Sequence, residues 1–265
     1  MGQPAAPPLR WFGAADVVAA MPGLDERLRL AEVTMTALAR PGASELPSKI
    51  AIHPRPAGSF VHAMPAHLRA TDRPDAAADL VGMKWVSGFP TNAAAGLPAI
   101  HAVVVLNDPE TGIPTAILDG GPITAQRTAA VSGVALARWG PAARGTGGAG
   151  ETDVAVIGAG VQGHSHLPVI GHVLPGARLH LFDRDAGRAA ALAAEARVTP
   201  GIAAAEVHAS ARDAVKGAAA VITAASFAPP SERQAMTNGW LRPDATVIPV
   251  DYATYCAAEV ARDAA

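Results

Sequence analysis

A doubly wound parallel α/β sheet, preceded by a smaller α+β domain, is the fold class this 265-residue sequence predicts, on three observations. From Asp153 onward, apolar runs of four to six residues alternate with helical stretches, which is the rhythm of βαβ units and a parallel sheet. The first such run, VAVI at Val154 to Ile157, leads straight into GAGVQG, with Gly158, Gly160 and Gly163 at the spacing of a dinucleotide-binding turn. The first half instead carries short runs punctuated by Pro and Gly, and ends at the glycine-rich stretch Gly140 to Gly150, which reads as a linker. The expected domains are therefore 1–140 and 151–265.

In order along the chain, the proline-rich opening MGQPAAPPLRWF reads as a disordered lead-in. Apolar positions at helical spacing (Val17, Val18, Met21, Leu24, Leu28, Leu30, Val33, Leu38) predict two helices between Ala14 and Ala39, split by Pro22 and Gly23. Strands are expected at Lys49 to His53, Ser59 to Ala63, Val81 to Ser87, Ala99 to Leu106 and Thr115 to Leu118. The turn from Asn107 to Gly112 joins the last two, which predicts an antiparallel sheet. Thr124 is placed to cap a helix reaching about Arg138. The second half predicts strands at Val154 to Ile157, Arg178 to Phe182, near Ala204 to His208, at Ala219 to Ala224 and at Thr246 to Val250. Helices are expected at Gln162 to Leu174, Ala186 to Arg197 and Ala211 to Val215.

Composition limits the function classes. Lys and Arg number 21 against 23 Asp and Glu, a formal charge of −2, so no positive field recruits nucleic acid or an anionic membrane. No apolar run is long and uninterrupted enough to span a bilayer, and the opening prolines do not suit a signal peptide. A single cysteine, Cys256, excludes an intrachain disulfide and any multi-cysteine metal site, which fits a cytoplasmic address.

The chemistry concentrates at a few positions. The glycines allow the backbone to approach a pyrophosphate at the N-terminus of the following helix. Asp183, about 20 residues beyond Gly163 at the end of the second apolar run, is where a carboxylate meets ribose hydroxyls, which favours NAD, with NADP the alternative because Arg184 follows. Lys84, between the large apolar Met83 and Trp85, either guards a sheet edge or sits in a cleft. Arg127 and Thr128 fall in the first turn of the helix after Thr124, where a cation is disfavoured unless it helps hold an anion. His164, His166 and His172 do not share a helix face and are read as helix and loop polar residues, not as a metal cluster. Asp251 follows an apolar strand at a carboxyl end of the sheet, where doubly wound folds bind ligands, and is a candidate acid or base.

The segments MKWVSGFPTN, LNDPETGIPTAILDGGPITAQRTAA and VIGAGVQG, in this order from about Lys49 to Asp251, resemble the ornithine cyclodeaminase and mu-crystallin family. The resemblance implies a Rossmann-type domain paired with a smaller substrate-binding and dimerisation domain, and NAD(P)-linked hydride transfer at the α-carbon of a small amino or imino acid. It also implies a homodimer. By resemblance, Lys49, Lys84 and Arg127 match residues that bind the substrate carboxylate, and Arg127 and Thr128 lie near the cofactor phosphates. Gly158, Gly160, Val161, Gln162 and Gly163 match the cofactor turn, Asp183 the ribose contact, and Thr223 and Ser226 a cofactor-touching loop after the fourth strand. Asp251 and Lys84 match the catalytic positions. The chain departs from ornithine-cyclising members in carrying Lys49 in place of an arginine and His62 in place of an acidic residue. The alternative to an enzyme is a crystallin-like protein that binds nucleotide and ligand with little or no turnover. Family members also continue beyond the equivalent of Ala265, so the chain is expected to be truncated in its second domain and marginally stable.

Overall fold

A computed structural model of the chain describes residues 8–70, 78–143, 145, 152–225, 233–251 and 255–264. The chain divides into two compact units, Met1–Thr124 and Ala125–Ala265, so the division falls inside a helix and not in the 140–150 stretch. Most of that stretch, with Ser226, lies outside the described residues.

In the first unit, β1 (Arg10–Phe12) precedes α1 (Ala14–Ala19) and α2 (Leu24–Ala39). Gly13 and Gly23 sit at the two N-caps, and the Asp16 carboxylate accepts a hydrogen bond from the Gly13 N–H (2.9 Å), which fixes the start of α1. The strands β2 (Ser44–Glu45), β3 (Ile50–Ile52), β4 (Phe60–Leu68), β5 (Leu80–Gly88), β6 (Ile100–Asn107) and β7 (Pro114–Asp119) follow. They form a seven-stranded sheet in the order β1-β7-β6-β5-β4-β2, with β3 also on β4. The β6–β7 hairpin turns at Asp108, whose Oδ1 accepts from the Thr111 N–H (2.7 Å), and at Gly112, in the left-handed region at φ 74°.

Two expectations change here. Arg10–Phe12 belong to the sheet, not to a lead-in, and their pairing with β7 is parallel, so the sheet is mixed. Lys84 lies on β5, paired on both sides by β4 and β6, so the edge reading is removed.

Because directly paired residues share a face, the register sorts the side chains into two sets. Met64, Lys84, Val104 and Leu118 line one face, with His62 beside Val86 and Ala51. Trp11, Ile117, Val105, Met83, Trp85, Val103 and Ile50 line the other.

In the second unit, α3 (Gly120–Trp139) supplies its residues from Ala125 on. Ala125, Ala129, Ser132 and Leu136 recur at helical spacing and are buried. The helix begins four residues before Thr124, with the Asp119 carboxylate accepting from the Gly121 N–H (2.8 Å). Arg127 and Thr128 therefore lie beyond the first turn, and the helix-dipole argument for an anion there does not hold.

Next come β8 (Asp153–Ile157), α4 (Val161–Val173), β9 (Ala177–Phe182), α5 (Ala186–Ala196), β10 (Ile202–Val207), α6 (Ala211–Val215), β11 (Ala220–Thr223), β12 (Thr246–Pro249) and α7 (Ala258–Arg262). The five strands are parallel in the order β10-β9-β8-β11-β12. Val154, Val156, Leu179, Leu181 and Ile222 pack on one face against Leu136, Leu167, Ile170 and Leu192; Ala155, Ile157 and Val221 pack on the other against Ala211, Ala214, Val215 and Met236. Helices thus cover both faces, which explains why these strands read as unbroken apolar runs. Among the described residues no helix is long and apolar enough to cross a membrane.

Candidate functional site

The strand order of the second unit reverses between β8 and β11: β9 and β10 extend to one side, β11 and β12 to the other. In such sheets ligands bind beyond the carboxyl ends of the strands at this reversal. The loop that leaves β8 there is Gly158 to Gly160. Gly158 has φ 111°, and a Cβ on it would run into the Ala224 carbonyl that follows β11; a Cβ on Gly163 would run into the Gly158 carbonyl. These two glycines are demanded by the packing of the turn itself. Gly160 differs, because it caps α4 and nothing lies within 4 Å of where its Cβ would stand. Open space in front of the unpaired N–H groups of a helix start fits the pyrophosphate of a dinucleotide. The Gln162 amide oxygen, buried at the first turn of α4 and without a hydrogen bond, is a second group that a bound nucleotide would satisfy. Val161, beside it, is exposed.

Asp183 follows β9 as expected. Its Oδ2 accepts from the Ala159 N–H (2.7 Å) and its Oδ1 from the Asp185 N–H (2.9 Å), so the carboxylate braces the glycine turn from a half-buried position. Asp185 in turn caps α5 by accepting from the Arg188 N–H (3.1 Å).

Asp251 lies just past β12, on the far side of β11 from the glycine turn, and only 8% of it is exposed. Thr223, fully buried, donates its hydroxyl hydrogen to Asp251 Oδ1 at 3.2 Å. Thr223 is the last residue of β11 and not part of the loop after it, so its side chain serves the carboxylate. Burial pushes the Asp251 carboxyl above the usual carboxylate range, against the Thr223 hydrogen bond and backbone donors that favour the charged form. A carboxyl whose proton affinity is raised by burial and tempered by hydrogen bonds is suited to take up and release a proton. The Cys256 thiol, buried nearby, is pushed up to about 11 by desolvation and then by the Asp251 charge, so it is not a nucleophile.

In the first unit, Lys84 shares its sheet face with His62, and Lys49 and His53 flank the Ala51 that pairs with His62. Burial, then the charges of Lys49, His53 and Lys84, hold His62 below the usual imidazole range. Lys84 is half-buried and Lys49 exposed. This face, rich in cations and neutral imidazole, suits a carboxylate. Arg127, exposed, and Thr128, half-buried, stand on α3 in the second unit.

Of the three histidines of α4, His166 is the one the sequence undervalued. It is completely buried, its Nδ1 against the Gln162 carbonyl (2.6 Å) and its Nε2 against the Ser132 hydroxyl (2.9 Å). Two acceptors or donors at those distances make it a structural link between α4 and α3, and burial lowers its pKa.

Residues 17–260 match the family model described as the ornithine cyclodeaminase/mu-crystallin family. The nodulation efficiency protein NfeD of Rhizobium meliloti is 34% identical over 247 residues, covering 92% of this chain and 69% of that protein. The Delta(1)-pyrroline-2-carboxylate reductase 2 of Burkholderia ambifaria is 34% identical over 188 residues, 70% of this chain and 54% of that protein. The solved structure of Thermococcus litoralis Delta(1)-pyrroline-2-carboxylate reductase in complex with NADH and L-proline superposes with TM-score 0.75 at 25% identity, over 90% of this chain and 68% of that one. The chain thus spans little more than half to about two thirds of these proteins.

Proposed function

The chain belongs to the ornithine cyclodeaminase/mu-crystallin family, and from that premise we propose that it serves an NAD(P)-dependent oxidoreductase or cyclodeaminase acting at the α-carbon of a small amino or imino acid. The observation that carries this reading is the buried Asp251, held by Thr223 at the carboxyl ends of β11 and β12, beside the strand reversal that bears the glycine turn. A nucleotide turn alone fits a binding protein; a carboxyl with a raised pKa beside it fits proton transfer.

A bound nicotinamide would supply hydride transfer at the substrate α-carbon. Gly158, Gly160, Val161, Gln162 and Gly163 would cradle the cofactor phosphates, Asp183 would take the ribose hydroxyls and favour NAD, and Arg127 and Thr128 would assist at the phosphates. On the first unit Lys49 and Lys84 would bind a substrate carboxylate, Lys84 with a catalytic role as well, and on the second unit Arg127 would bind an anionic group of substrate or cofactor. Asp251 holds or removes the proton of the substrate nitrogen, and positioning of the reactants supplies much of the rate. Relatives named as pyrroline-2-carboxylate reductases support a cyclic imine as substrate. His62, neutral and surrounded by cations, offers no carboxylate for a second ammonium group, so a substrate such as ornithine fits this face poorly.

A homodimer in the cytoplasm is part of the same proposal. The sheet face opposite Lys84 leaves Trp11 61%, Ile50 68% and Trp85 44% exposed, an apolar surface suited to a second copy. The experiment is NADH oxidation with Delta(1)-pyrroline-2-carboxylate: turnover abolished by Asp251→Asn with NADH binding retained supports the enzyme, whereas binding of NADH without turnover on any imine or amino acid favours the crystallin-like alternative.

A further inference from the structure

We infer that His180, His208 and Glu206 form a site for one divalent transition cation of the zinc type, on the edge of the parallel sheet and apart from the nucleotide turn. His180 lies in β9 directly across from Glu206 in β10, and His208 comes just after β10, with its N–H donating to the Leu181 carbonyl at 2.9 Å. The parallel register therefore brings together two imidazoles and a carboxylate that are far apart in sequence. His180 Nδ1 and His208 Nε2 are 2.9 Å apart, Glu206 Oε2 is 4.0 Å from His208 Nε2, and the three ligand atoms all lie within 4.8 Å of one another. Around a tetrahedral zinc with bonds of about 2.0–2.1 Å, ligand atoms stand ~3.3 Å apart, so the side-chain tips need only small movements to hold the ion.

The surroundings fix which lone pairs face the site. His180 Nε2 donates to Asp153 Oδ1 (2.9 Å), and Asp153 is held in turn by the Arg178 guanidinium at 2.9 and 3.0 Å. With its proton on Nε2, His180 presents Nδ1 as a lone pair, which is the carboxylate–histidine arrangement that orients metal ligands. His208 completes the pair by carrying its proton on Nδ1 and turning the Nε2 lone pair to the ion, a tautomer change with no net loss of a proton. Two imidazoles and one carboxylate suit zinc, cobalt or nickel; calcium and magnesium want oxygen donors alone. The imidazoles are partly sheltered, with side chains 23% and 19% exposed, while Glu206 at 71% is open to solvent and gives the ion its way in. Among the described residues no other such group of three occurs. The ion would tie the edge strand β10 to β9 and leave a coordination position for water.

The test is calorimetric titration of the full chain with ZnCl2 near pH 7.5, with Co2+ absorption as a second readout and NADH binding as a control. One equivalent of Zn2+ should bind, a Co2+ spectrum of tetrahedral intensity should appear, and the melting temperature should rise with Zn2+. His208→Gln keeps an N–H donor toward His180 Nδ1 but removes the ligand, and should abolish binding with the fold retained by circular dichroism. Asp153→Asn should weaken binding about 10- to 100-fold. No binding by the wild-type chain, or binding that survives His208→Gln, would overturn the assignment and leave the cluster as a hydrogen-bonded strand link.

Discussion

The Thr223 hydroxyl donates to Asp251 Oδ1 at 3.2 Å across the ends of two neighbouring parallel strands, and both residues are buried. This bond favours the charged carboxylate, while burial opposes it and wins. Thr223→Val keeps the shape and removes the donor, so the Asp251 pKa should rise further. If Asp251 must be ionised to accept a proton, the acid limb of the kcat/KM profile moves to higher pH in the variant, with NADH affinity little changed. An unmoved limb would detach Thr223 from the proton chemistry.

Lys84 lies inside the sheet between β4 and β6, on the face it shares with His62. Lys84→Met preserves the stem that packs on this face and removes the charge. Turnover should fall on the order of 10²-fold or more, as for loss of one charged contact at a reacting centre, with cofactor binding intact. Equal losses of rate and NADH affinity would argue against a role confined to substrate.

Trp85 stands on the opposite face from Lys84, 44% exposed, in a row with Met83, Val103 and Ile117. Trp85→Glu sets a charge in the middle of that apolar row. A dimer built on this face should dissociate, seen by light scattering after size exclusion, without loss of secondary structure. A dimer that persists in the variant must use another surface.

Asp183 has two duties that one substitution separates. Asp183→Asn keeps the amide oxygen as an acceptor for the Ala159 N–H, so the turn should stay closed, but removes the charge that repels a 2′-phosphate. The ratio of NADPH to NADH affinity should rise at least several-fold, with a smaller loss of melting temperature than for Asp183→Ala, since the Asn oxygen keeps one of the two backbone N–H contacts. Asp183→Ala loses the turn contact too and should cost about 1–3 kcal/mol of stability, because a buried N–H is left without its acceptor.

How far these sites were legible depends on the range of the signal. The five strands of the second unit and the helices α4, α5 and α6 follow local hydrophobic periodicity and are readable to within a residue or two, as are the places of the glycine turn after β8 and of Asp183 after β9; the short α7 is not. The sequence places the start of α3 at Thr124, a residue type that caps helices, yet the helix begins at Gly120, because a proline in the first turn of a helix loses no hydrogen bond and Asp119 accepts from the Gly121 N–H. β1 was missed because its support is the distant β7 and not its own three residues. Thr223 holding Asp251, and His180 facing Glu206 and His208, arise from parallel register across strands, and nothing in local sequence encodes which strands pair. Lys84 was readable as chemically special; that its strand is central was not.

His166 gives a prediction on stability alone. Burial depresses its pKa below the ordinary 6.5, so the folded chain keeps it neutral, with one ring nitrogen on the Gln162 carbonyl and the other on the Ser132 hydroxyl. The unfolded chain binds a proton that the folded chain does not, in the window from 6.5 downward to the depressed value. The contribution is therefore complete above that window and is lost as pH falls through it. Melting temperature should drop on acidification from pH 7.5 to 5.5. His166→Gln can still meet both partners but does not titrate, so its melting temperature should be lower at pH 7.5 and less sensitive to pH over the same range. An unchanged slope would mean that other groups, not the α4–α3 link, set the acid sensitivity of the second unit.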